Sequence, residues 1–181
     1  ITQTSQWLLR HPNESYVRTQ LLKLVQSKAT VDQQRQIIKQ TTVWLSENLE
    51  TGNSYVLTEY LKLVTSQGTT EQGQSAVSLM LGWLDQTQQN DSYVRRNCLK
   101  LAKDKATSET AQDLLNQTYS WLSENSERCD SYIMTEYLRL VIERGTIEQK
   151  QKVKDQAAAW LERSDDSYVR NQYLKLLNIV E

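Results

Sequence analysis

The word Ser-Tyr-Val stands at residues 15–17, 54–56, 92–94 and 167–169, with Ser131-Tyr132-Ile133 as a variant. Each copy follows a Trp-Leu pair, at Trp7-Leu8, Trp44-Leu45, Trp83-Leu84, Trp121-Leu122 and Trp160-Leu161. Self-similarity at a period between 20 and 50 residues marks stacked supersecondary units, each touching mainly its neighbours, and excludes one mixed globular core. The expected units run from about 1–29, 30–68, 69–106, 107–145 and 146–181, with a period of about 38 residues.

Each unit reads as two helices. In the first, helix A, the apolar positions Ile37, Ile38, Thr41, Trp44 and Leu45 form a 3.6-residue stripe. It repeats as Ala76, Val77, Met80, Trp83, Leu84 and as Leu114, Leu115, Thr118, Trp121, Leu122. Thr30 precedes Gln33, Thr69 precedes Gln72 and Thr146 precedes Gln149, the spacing of a capping box. Thr107 keeps the cap but has Thr110 where the glutamine should be. Asp32, Glu71, Glu109 and Glu148 fall in the first turn, where the helix dipole favours them. A polar loop follows. Then Asn53, Asp91, Asp130 and Asp166 sit as N-caps of helix B, a pattern that Glu14 breaks. Helix B is expected to bury Tyr16, Val17, Leu21 and Leu24 and their equivalents. The hydroxyl of each Ser-Tyr-Val tyrosine would reach the inter-helix loop. Gly68 and Gly145 suit a left-handed residue after helix B; Ala29 and Ala106 are weaker stops. Alternate units are closer relatives: Arg18, Arg95 and Arg170 complete Tyr-Val-Arg in the first, third and fifth.

With a formal charge of −1, the chain lacks the basic footprint of a duplex nucleic-acid binder. Cys98 and Cys129 fall at different places in the unit, so the repeat spells no disulfide framework. The lone His11 stands beside Pro12 in a loop, and neither a zinc ligand set nor a phosphate-binding glycine loop is written. A non-enzyme without cofactor or metal is expected. There is no run long enough to span a membrane and no signal-like head, so a cytoplasmic setting is expected. Both ends cut units without a polar capping repeat, which suggests a piece of a longer protein and end-to-end self-association.

Two-helix units with a late aromatic in helix A resemble the tetratricopeptide class of α-solenoids. The likeness is to architecture: the familiar unit has 34 residues, a glycine after its Trp-x-x-Leu and a terminal proline, and Trp44-Leu45 has none of these. Trp-Leu, a polar loop, Ser-Tyr-Val-Arg and then Leu-Lys-Leu-Val is also similar to the C-terminal sensor arrays of bacterial signalling and defence NTPases. The resemblance implies an all-α fold, a right-handed solenoid of about five stacked helix-turn-helix repeats, and a protein- or peptide-binding role within a larger intracellular bacterial protein.

Two surfaces are candidates for that role. The positions eight, five and one before each tryptophan share a side of helix A and change chemical class between units. They are Gln36, Lys39 and Val43; Ser75 and Ser78, with Gly82; Asp113, Asn116 and Ser120; Lys152 and Asp155, with Ala159. Down helix B runs a basic column of Lys23, Lys62, Lys100, Arg139 and Lys175. The alternative readings are a single-stranded RNA reader taking one base per repeat and an engineered array without ligand. The charge disfavours the first; the irregular loops, Met80-Leu81-Gly82 and Cys98 disfavour the second.

Overall fold

The computed structural model describes residues 1–49, 53–86 and 91–180. They form an all-α structure of ten helices in which neighbours pack on one another. These are α1 (Thr2–Arg10), α2 (Ser15–Lys28), α3 (Val31–Glu47), α4 (Ser54–Gln67), α5 (Thr70–Gln86), α6 (Ser92–Lys105), α7 (Ser108–Glu124), α8 (Ser131–Arg144), α9 (Ile147–Arg163) and α10 (Ser167–Val180). Odd helices are the A helices of the sequence and even ones the B helices. Each packs on its chain neighbours and on the helix two places along. The even helices meet one another more extensively than the odd ones do, so the molecule has an intimate even row and a looser odd row. Among the described residues no helix is long and apolar enough to cross a membrane.

The helix starts follow their local chemistry. Thr30 accepts from the Gln33 amide at 3.4 Å while the Gln33 side chain takes the Thr30 amide at 3.0 Å. The same reciprocal pair closes Thr69 with Gln72 and Thr146 with Gln149. Thr107 still accepts from the Thr110 amide at 3.2 Å. Asn53, Asp91, Asp130 and Asp166 all cap the even helices with their side chains, and Glu14 does not.

Helix ends differ from expectation. Gly68 (φ −65°) and Gly145 (φ −70°) are extended, not left-handed. The following threonine is already the cap of the next helix, so the two-residue link stays extended, a conformation any residue adopts. Ala29 and Ala106 do so at the same place. The helix ends are instead closed by side chains from further along the chain. Gln34 donates to the carbonyls of Val25 and Gln26, Lys105 to those of Val64 and Gly68, and Arg144 to that of Lys103. Arg35 reaches the Gln67 carbonyl from within its own pair, at a long 3.4 Å. The Lys105 stem crosses α5 at Gly73, where an added Cβ would come within 2.5 Å of the lysine's own Cβ.

The core is a continuous apolar seam between the rows. Trp44, Trp83, Trp121 and Trp160 lie in it, but Trp7 is 40% exposed and stacks on His11 at 4.1 Å. Four of the five tryptophans of the Trp-Leu pairs are thus core residues, and the first is not. The indoles of Trp44 and Trp121 are covered by guanidinium groups from the preceding even helix, Arg18 at 3.9 Å and Arg95 at 4.6 Å from the ring centres, whereas Trp7 has the His11 ring over it. Leu24 is likewise exposed while its counterparts Leu63, Leu101, Leu140 and Leu176 are buried; that side of an even helix is covered by the even helix before it, and α2 has none. Both thiols are buried and free, and burial pushes each up to about 12.

One buried hydroxyl separates two otherwise matching pairs. Tyr60 on α4 meets the Thr42 hydroxyl at 2.7 Å. On α7 the residue two before the tryptophan is Tyr119 instead of threonine, and the hydroxyl of the equivalent Tyr137 has no partner among the described residues. Tyr60→Phe should therefore cost about 1 kcal/mol, whereas Tyr137→Phe should be neutral within about 0.5 kcal/mol or stabilising. Urea melts of the two variants check this, and equal losses would contradict the asymmetry.

Candidate functional site

All ten helix A candidates lie exposed on the odd row: Gln36, Lys39, Val43, Ser75, Ser78, Asp113, Asn116, Ser120, Lys152 and Asp155. Three of them come together. Asn116, Ser120 and Lys152 line a shallow cavity of about 230 Å³ between α7 and α9, with Gln149 and the unpartnered Tyr137 hydroxyl beside them. Two of those three are already engaged. Asn116 accepts from Gln149 at 2.8 Å, and Lys152 pairs with Glu148 at 2.7 Å. That pair holds the Glu148 carboxyl below its usual range and the Lys152 ammonium above its own. Gln36 lines a separate hollow between α1 and α3, and Val43 another beside Trp44.

The even row holds what the sequence reading missed. Tyr16, Tyr55, Tyr93, Tyr132 and Tyr168 are 74, 73, 67, 60 and 71% exposed. They were expected in the core; instead the next residue, Val56, Val94, Ile133 or Val169, is fully buried, with Val17 partly so. A helix turns 100° per residue, so a valine pointing inward sets the preceding tyrosine on the flank. The tyrosines share one line with the basic column. Tyr16 and Lys23, Tyr55 and Lys62, Tyr93 and Lys100, Tyr132 and Arg139, and Tyr168 and Lys175 are all seven residues apart, two turns of helix and about 10 Å along its axis. That recurrent spacing was the available signal.

Between tyrosine and cation stands a polar residue that alternates in kind: Gln20, Glu59, Asn97, Glu136, Gln172. Where it is glutamate it pairs with the cation: Lys62 with Glu59 at 2.8 Å, and Arg139 with Glu136 at 2.8 Å. Lys23, Lys100 and Lys175 have an amide there instead and are exposed. Arg96 lies 4.4 Å over the ring of Tyr132 on the next even helix. Across α6, α8 and α10 these groups bound a groove of about 350 Å³, lined by Arg96, Tyr132, Glu136, Arg139, Asp166 and Tyr168 among others.

Charge follows the rows. The even helices carry thirteen Lys and Arg against four Asp and Glu, the odd helices seven against ten. The near-zero net charge thus conceals a basic even row edged by acidic loops at Glu14, Asp91, Asp130, Asp165 and Asp166. Among the described residues no three His, Cys, Asp or Glu side chains converge as a metal site. No protein-family model, curated protein or solved structure matches the chain.

Proposed function

We propose that the chain is a tetratricopeptide-like, right-handed α-solenoid of five stacked helix pairs. In this reading it is a protein- or peptide-binding scaffold and serves as the interaction array of a larger cytoplasmic protein. The observation that carries the reading is the column of five exposed tyrosines at one position of every even helix. An exposed aromatic contributes little to folding, yet that position is as uniform as the core. Tyrosine gives a rigid, amphipathic contact at low entropic cost, which is why it is enriched at interfaces. A repeated row of such contacts suits recognition distributed over several units, with no chemistry required.

Two surface panels test it. Tyr55→Ala/Tyr93→Ala/Tyr132→Ala on the even row should abolish capture of the partner in a pull-down and leave the melting temperature within about 3 °C, since surface changes are worth roughly 0.5 kcal/mol each or less. Lys39→Ala/Asp113→Ala/Lys152→Ala tests the odd row in the same assay. Loss through the second panel alone would return the binding face to the A helices. Intact capture in both would overturn the scaffold reading of these surfaces.

A further inference from the structure

We propose that the even-row face takes an extended, proline-rich, acidic polypeptide segment in the polyproline II conformation, with about three of its residues per helix and an acidic side chain at every sixth position. This rests on the scaffold reading above and names its ligand class.

The first argument is spacing. Packed helices lie about 8–10 Å apart, so the tyrosines of adjacent even helices recur at about that interval. Polyproline II rises 3.1 Å per residue with three residues per turn, a repeat of about 9.3 Å. The ligand and the tyrosine column are therefore commensurate. Each turn can lay one ring-shaped, apolar proline on one tyrosine, the contact that aromatic-lined grooves use for such chains. The backbone of such a ligand is already ordered, so little entropy is lost on docking.

The second argument is charge. Lys62 and Arg139 are neutralised by Glu59 and Glu136 on their own helices. The amide-flanked Lys23, Lys100 and Lys175 occur on every second even helix. Their interval of about two helix spacings equals two ligand turns, or six residues, about 19 Å. A nucleic-acid strand has a phosphate at every nucleotide and needs a continuous basic track. Here the cations alternate with closed ion pairs, and the tyrosines are edged by Asp91, Asp130, Asp165 and Asp166. An acidic group every sixth residue fits that alternation, and an unbroken polyanion does not.

The test is fluorescence anisotropy on the whole chain with a labelled eighteen-residue polyproline bearing glutamate at positions 3, 9 and 15. Binding should be saturable. It should weaken at least tenfold in Tyr93→Ala/Tyr132→Ala/Tyr168→Ala and in Lys23→Gln/Lys100→Gln/Lys175→Gln. The isomer with glutamates at positions 3, 7 and 11 has the same charge but turns its acids around the helix, and should bind at least fivefold more weakly. A lysine-substituted peptide should not bind. Equal affinity of the two isomers, binding of the lysine peptide, tighter binding of an eighteen-nucleotide oligouridine, or no binding of the first peptide would each overturn the proposal. A pull-down partner lost in the tyrosine variant but not displaced by the peptide would leave the scaffold reading standing and remove this ligand class alone.

Discussion

Trp83→Ala should lower the unfolding free energy by about 3–5 kcal/mol, read from the urea midpoint at unchanged slope. Trp83 is 1% exposed and sits mid-chain between α5, α6 and the neighbouring pairs. Truncation removes a large apolar side chain from the buried cluster that also holds Val77, Met80 and Leu84, and a packed core closes such a cavity only in part. The same change at Trp7, already 40% exposed, should cost less than half as much. In a linear array each unit is held by its own packing and by two interfaces. A central loss therefore weakens both interfaces, whereas a loss at Trp7 touches one. Comparable losses at the two tryptophans would mean that Trp7 is packed as firmly as Trp83.

Arg95→Ala should cost about 2–3 kcal/mol, while Arg95→Met should be neutral or stabilising by about 1 kcal/mol. Arg95 is 4% exposed, lies over Trp121 and reaches the Thr118 hydroxyl at a long 3.4 Å. Among the described residues no carboxylate pairs with it, and burial brings its guanidinium down to about 10. The charge is thus held against a desolvation cost by the indole face, worth about 2 kcal/mol when water is excluded, and by the fit of its stem. Methionine keeps the volume and drops the cost. The chain already makes this exchange: the equivalent residues on α4 and α8 are Leu57 and Met134, both buried. The two substitutions thus separate volume from charge. A large loss in Arg95→Met would show that the cation itself is required.

The parts of the fold legible in the sequence were those fixed within a few residues. Thr30 with Gln33 and Asp130 with the Ile133 amide are local chemistry, and the Ile37 to Leu45 stripe is read from period alone. Contacts between units were not legible in this way. Whether Leu24 or Leu63 is covered depends on the preceding even helix, and the Arg18 to Trp44 stack joins residues whose only common sign was the recurrence of Arg18, Arg95 and Arg170 in alternate units. The tyrosine column failed for another reason. Near a helix start an aromatic beside a valine fits the apolar stripe nearly as well as the valine does, and only packing decides which turns inward. Counting Tyr16 with Lys23, and not with Val17, would have placed it on the surface. Gly68 and Gly145 misled because glycine at a helix end suggests a left-handed turn, although Ala29 and Ala106 at the same place already required an extended one.

The closing of helix ends by later side chains sets an order on assembly. The last carbonyls of α2 wait for Gln34, those of α4 for Lys105 and that of α6 for Arg144. A chain emerging from its N-terminus therefore forms α2, α4 and α6 before the side chains that finish their ends have been synthesised.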